Sequence, residues 1–122
     1  MVMYDPRGLY RLAEEIKDDE RYERESRYRT AINRLYYSLF LMVLQMYLNE
    51  GNSVKDPNRI HKEVREWFQG EYSRAGNKLE MLHKEFRVLA DYYLDERVDE
   101  KMTNDAFRLA EYIYRFLEEK GL

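Results

Sequence analysis

Apolar residues recur along this chain at intervals of three and four, so the pattern predicts helices throughout. Five segments can be read. The first opens at Asp5-Pro6, where Asp can cap and Pro fits the first helical position, and it carries Leu9, Leu12, Ala13 and Ile16 on one face. The polar run Lys17 to Glu25 extends or ends it. Ser26 is placed to cap the second helix, whose main stripe is Tyr28, Ala31, Ile32, Leu35, Tyr36, Leu39, Phe40 and Val43, with Gly51 as its stop. Asp56-Pro57 should start the third, which carries Ile60, Val64, Trp67 and Phe68 and ends at Gly70. A polar connection through Gly76 leads to the fourth, with Leu79, Leu82, Phe86, Leu89, Ala90 and Tyr93 inward. The acidic stretch Asp95 to Lys101 reads as loop; Thr103 or Asn104 then caps the fifth, with Phe107, Ala110, Ile113, Tyr114 and Leu117 buried. No strand alternation, low-complexity tract or internal repeat is read.

The expected fold is all-α, an antiparallel up-and-down bundle of four to five helices forming one domain over residues 1–122. Its expected core is Leu35, Leu39, Phe40, Val43, Trp67, Phe86, Leu89, Ile113 and Leu117. Beyond Leu35 the second helix is apolar on its other faces too, at Tyr37, Leu41, Met42, Leu44, Met46, Tyr47 and Leu48. A helix apolar all round is buried all round, which predicts several neighbours or a second subunit, hence a homodimer.

Composition narrows the classes. With 44% hydrophobic residues, 12 Tyr, 5 Phe and 1 Trp, the chain has the material for a core and is not a disordered segment. No cysteine is present, so neither disulfides nor thiolate metal sites are available. The longest apolar stretch, Leu35 to Leu48, is too short for a membrane span of about 20 residues, and the first residues do not read as a signal peptide; a cytoplasmic protein without membrane contact is expected. The net charge of −3 lacks the bulk basic field that usually accompanies duplex binding. Any nucleic-acid role needs a local pocket, for example one built from Arg27, Arg29 and Arg34.

Glycine loops for phosphate, HExxH and GxSxG are all missing. His61 and His83 fall on different helices without a convincing carboxylate set, so no metal and no cofactor is expected. What stands out is Arg34-Leu35-Tyr36-Tyr37 in helix two and Arg87-Val88-Leu89-Ala90-Asp91-Tyr92 in helix four. Extended to Tyr28–Phe40, the first run resembles the signature helix of prokaryotic HEPN domains, in which Ala-Ile-x-Arg-x-Tyr-Tyr-x-x-Phe leads into a long apolar helix. Ile60-His61, the Arg-x-x-Ala-Asp-Tyr run, Ala106 and Ala110 resemble one small stand-alone branch of that family.

The resemblance implies a helical bundle that often dimerises, and partnership with a minimal nucleotidyltransferase in a toxin–antitoxin-like setting. Many such proteins cleave RNA through an Arg and a His separated by four to six residues. This chain departs from that pattern. At that spacing before His61 stand Val54, Lys55 and Asp56; before His83 stand Gly76, Asn77 and Lys78; after Arg87 stand Tyr92, Tyr93 and Leu94. The expectation is therefore a non-catalytic module binding nucleotide or RNA phosphate, or a nucleotidyltransferase partner. Arg34 and Arg87 would grip the anion, Asp91 would orient them, and Tyr37 and Tyr92 would be walls. The alternatives are a ribonuclease with a degenerate Arg/Asp/Tyr site and a purely structural dimerising protein. A plain Arg87–Asp91 ion pair at i, i+4 is the simpler reading of those two residues, as a structural role is of His61.

Overall fold

A computed structural model describes residues 3–122 of the chain. All its regular elements are helices: α1 (Arg7–Lys17), α2 (Arg24–Asn49), α3 (Ile60–Glu71) entered through a 3₁₀ turn at Pro57–Arg59, α4 (Ser73–Met81), α5 (Val88–Tyr92) and α6 (Glu100–Glu119). A π-helical turn, Leu82–Arg87, joins α4 to α5 without interruption. The three pieces form the fourth rod of the expected five-helix bundle.

Helix α2 is the axis of the fold and touches every other helix. Ala31, Ile32, Leu35, Tyr36, Leu39 and Val43 along it have no exposed surface. Its second face is covered within the one chain. Met42, Met46 and Tyr47 are buried and only Leu48 is exposed, because the Ser38 hydroxyl donates to the Pro6 carbonyl at 2.8 Å and pins the start of α1 across it. The apolar faces of α2 thus give no argument for a second subunit.

Several expected boundaries move. Helix α2 begins at Arg24 because the Glu23 carboxylate, not Ser26, accepts the orphan N–H groups of Glu25 and Ser26 at 2.9 and 2.7 Å. Helix α6 begins at Glu100 for a similar reason: Asp99 accepts from the Met102 N–H at 2.9 Å, ahead of Thr103 and Asn104. The Asp56 cap holds, accepting from Asn58 at 3.0 Å. Gly76 is not in a connection at all. It lies buried inside α4, where α3 and α4 fold back on each other around Tyr72.

Of the expected core, Leu35, Leu39, Phe40, Val43, Ile113 and Leu117 are buried, whereas Trp67, Phe86 and Leu89 are half-buried around its edge. Leu12 and Tyr93 are exposed. The π-turn explains the discrepancy at Phe86 and Leu89. It holds an extra residue relative to an α-turn, so the inward face continues from Leu79 and Leu82 to Arg87 and Ala90.

The acidic loop after α5 is tied down. Val98 is buried and its N–H donates to Glu25 at 3.3 Å. Arg29 donates to Ala90 and Tyr93 carbonyls at 3.0 and 3.2 Å and to that of Glu96, while pairing with Glu25 at 2.9 Å. It closes the C-terminal end of α5, whose carbonyls lack partners of their own.

Candidate functional site: a cavity with two histidines

The helical hairpin brings together residues far apart in the chain. His61 lies as far before Tyr72 as His83 lies after it, so the two arms place both imidazoles at one level against α2. They meet at a cavity of about 420 Å³, within the roughly 300–1,000 Å³ common for small-molecule sites. Arg65 and Arg87 line it one turn further along each arm, Arg59 and Lys62 stand at its entrance side, and Tyr37, Tyr92 and Asn58 complete it.

The buried ring of Tyr36 organises the site. Arg65 Nη1 donates to its hydroxyl oxygen at 3.2 Å, and the hydroxyl lies 3.2 Å from His61 Nδ1. With the oxygen accepting from Arg65, the hydroxyl proton is free to go to that nitrogen, and Nδ1 accepts it in the Nε2–H tautomer of His61. Arg87 Nη2 lies 3.0 Å from His83 Nδ1, and since a guanidinium only donates, this Nδ1 is an acceptor as well. Neutral His83 therefore carries its proton on Nε2, and His61 does so when Tyr36 is its donor.

Burial, with the positive charges of Arg65 and Arg87, lowers the pKa of both histidines, that of His83 to about 4. Burial raises the Tyr36 hydroxyl. At neutral pH the imidazoles are uncharged, and Tyr36 is a protonated link between His61 and Arg65.

Arg87 is the most constrained member. It is 8% exposed, with its guanidinium 4.9 Å from the Tyr36 ring centroid and 5.8 Å from that of Tyr37. Asp91 accepts from its Nη1 at 3.3 Å, and its Nε is buried without a hydrogen-bond partner. The expected i, i+4 ion pair and the cavity thus coexist. Asp91 is itself held from α2 by the Asn33 amide, 3.1 Å from both carboxylate oxygens. Arg65 is backed by Glu80 at 2.9 Å.

Of the residues singled out in the sequence, Tyr37, Arg87 and Tyr92 line this cavity, with Tyr92 exposed at its rim. Asp91 stands behind Arg87. Arg34 is not with them: it bonds to the Asn33 side chain at 2.5 Å and lines a separate shallow cleft with Thr30 and Asp91. Of Arg27, Arg29 and Arg34, the last two line that cleft together, with the Arg29 guanidinium spent on the α5 end, whereas Arg27 is buried beside the Tyr28 ring. The sequence pattern does not mark Tyr36, Asn58, Arg59, His61, Lys62, Arg65 and His83 as site residues. A signal was present: His61-Lys62-Glu63-Val64-Arg65 and His83-Lys84-Glu85-Phe86-Arg87 are nearly the same five residues, a short internal repeat.

Among the described residues no group of three His, Asp or Glu side chains is arranged to hold a metal ion. No described helix is long and apolar enough to cross a membrane. Comparison with protein-family models, with curated proteins and with solved structures finds no match to this chain.

Proposed function

We propose that this chain is a HEPN-like binding module that holds a phosphate of nucleotide or RNA in the two-histidine cavity and does not cleave it. One observation carries the reading: the polar groups converging on the cavity are almost wholly donors. Arg59, Lys62, Arg65 and Arg87 can only donate, His83 has Nε2–H to offer because Arg87 takes its Nδ1, and no Asp or Glu among the described residues lines the space. Phosphate oxygens only accept, and guanidinium groups suit them in geometry and charge. Tyr37 and Tyr92 offer faces on which a base can stack.

The same hydrogen bonds argue against cleavage. A general base needs a lone pair within reach of the attacking hydroxyl, and the Nδ1 atoms of both imidazoles are already engaged, by Tyr36 and by Arg87. With a pKa near 4, His83 is also a poor proton carrier at pH 7. The ribonuclease alternative keeps one point in its favour, two imidazoles beside two guanidinium groups, and its acid–base pair would be His61 and His83 in place of Arg, Asp and Tyr. The purely structural alternative loses its motive with the covering of α2.

A homodimer and a minimal nucleotidyltransferase partner belong to this reading through the resemblance alone. Light scattering at micromolar concentration separates a 15.1 kDa species from one of twice that mass.

The central test is titration of labelled RNA and of ATP against wild type and Arg87→Ala at two salt concentrations. Losing one charge-assisted contact, worth about 1.5–3 kcal/mol, should weaken binding roughly tenfold or more. Wild-type binding should fall as salt rises. Absence of binding, or equal binding by the two proteins, refutes the proposal. RNA cleavage that disappears in both His61→Ala and His83→Ala would establish the ribonuclease reading instead.

A further inference from the structure

From the arrangement of charge around the cavity we infer that it selects a terminal phosphate, the phosphomonoester of a nucleotide or of an RNA end, over the internal phosphodiester of a strand. The inference rests on the proposed phosphate-binding function and adds a substrate class to it. A monoester carries close to two negative charges at pH 7 and three free acceptor oxygens. An internal diester carries one charge and has only two unesterified oxygens.

Three features favour the former. Four cationic side chains line the cavity, and two of them, Arg65 and Arg87, are held in place by Glu80 and Asp91. His83 donates while uncharged, so its bond does not require the acidic conditions that would also protonate the phosphate. The third feature is the surrounding surface. The neighbouring groove shares Arg59 and Lys62 with the cavity and adds Lys55 but also Asp56, Glu63 and Glu66, so its charges cancel, while the cleft on the far side of Arg87 sets Arg34 and a Glu25-paired Arg29 beside Asp91. A strand running on through the groove passes three carboxylates for the one lysine it gains, and the chain as a whole carries −3. A strand end or a mononucleotide need not run past them.

The aromatic pair separates this ligand from a bare ion. Tyr37 and Tyr92 line the cavity together with its cationic groups, and Tyr92 is 67% exposed, so a base attached to a bound phosphate gains a stacking surface. Inorganic phosphate gains none, and adenosine has no anion.

The experiment is a set of titrations by calorimetry or fluorescence anisotropy with the intact chain. The probes are AMP, inorganic phosphate, adenosine, and one trinucleotide prepared with a 5′-phosphate, with a 3′-phosphate and with hydroxyls at both ends. At least one phosphorylated trinucleotide should bind tenfold or more tightly than the hydroxyl-ended form. AMP should bind more tightly than phosphate or adenosine. Affinity should rise from pH 5.5 to 7.5, as the monoester loses its second proton near pH 6. The groups facing the imidazoles are Arg59, Lys62, Arg65, Arg87, Tyr36 and Tyr37, with Glu80 and Asp91 paired to Arg65 and Arg87, and none of these residue types ordinarily titrates between pH 5.5 and 7.5.

Equal affinity for phosphorylated and hydroxyl-ended trinucleotides overturns the inference and leaves the phosphate-binding reading standing. A falling affinity between pH 5.5 and 7.5 overturns it too, by showing that imidazolium charge is the attraction. If none of the phosphate-containing probes binds, both fail. Arg59→Gln, at the exposed rim, supplies a variant that folds normally and should weaken binding of the phosphorylated end more than that of the hydroxyl-ended form; an equal loss for both counts against selection.

Discussion

At Gly76 the two arms of the helical hairpin approach more closely than a side chain permits. A Cβ placed there would lie 2.3 Å from Gln69 Cα, 2.7 Å from Gln69 N and 3.0 Å from the Phe68 carbonyl carbon, against 3.4–4 Å for ordinary contact. These are backbone atoms of α3, so no rotamer change relieves the clash and the arms must separate by about an ångström. Such overpacking typically costs about 1–3 kcal/mol, and the short chain across Tyr72 restricts the relaxation. The better helix propensity of Ala offsets about 1 kcal/mol. Taking the upper part of that range, Gly76→Ala should lose roughly 2 kcal/mol and melt roughly 6–12 °C lower. Thermal melting followed by circular dichroism reads this directly, with Gly70→Ala as control, since a Cβ there meets nothing within 4 Å and should leave stability unchanged or slightly raised. A Gly76→Ala protein as stable as wild type would refute the close packing of the arms.

Leu39→Ala should cost about 2–5 kcal/mol in denaturant unfolding, since Leu39 is wholly buried on the central helix; a loss under 1 kcal/mol contradicts that placement. Arg29→Ala should free the carbonyls of Ala90, Tyr93 and Glu96 and speed hydrogen exchange and proteolysis around residues 93–99 ahead of global unfolding; unchanged exchange there argues against the tie. His83 ordinarily titrates near 6.5 and is lowered to about 4 by burial and by Arg65 and Arg87, so the unfolded chain takes up its proton first as pH falls. Its contribution to stability is complete above about 6.5 and is lost progressively down to about 4. His83→Gln should flatten the melting profile across that window, and an unaltered slope would contradict the shift.

The helical periodicity of α2 and α6 was plain in the sequence because one face of each meets the core without interruption from Ala31 to Val43 and from Ala106 to Leu117. Their starting points were less legible. Glu23 caps α2 although Ser26 is chemically the more favoured cap, because α2 extends one turn further to let Glu25 reach Arg29 and Val98. Gly76 looked like a break because glycine is a poor helix former, yet the close approach of α3 requires it. At the site, Tyr37, Arg87 and Tyr92 were recognisable from a local run. Arg34 was grouped with them wrongly, since α2 turns it toward a different cleft. His61 and His83 do not stand out in either helix alone, because their proximity depends on a hairpin centred on Tyr72 whose geometry the spacing of neither helix carries.

The π-turn also decides where this chain can change length. Successive residues of an α-helix are rotated by about 100°, so deleting one residue from α4 or α5 would swing everything beyond it away from α2. Within Leu82–Arg87 the surplus residue is already absorbed. Removing exposed Glu85 would let the turn close to an ordinary α-helical one, with Arg87 and Ala90 still facing α2 and only the separation of His83 from Arg87 shortened. In the long fourth rod, a lost residue is neutral for the fold at that one turn and disruptive on either side of it.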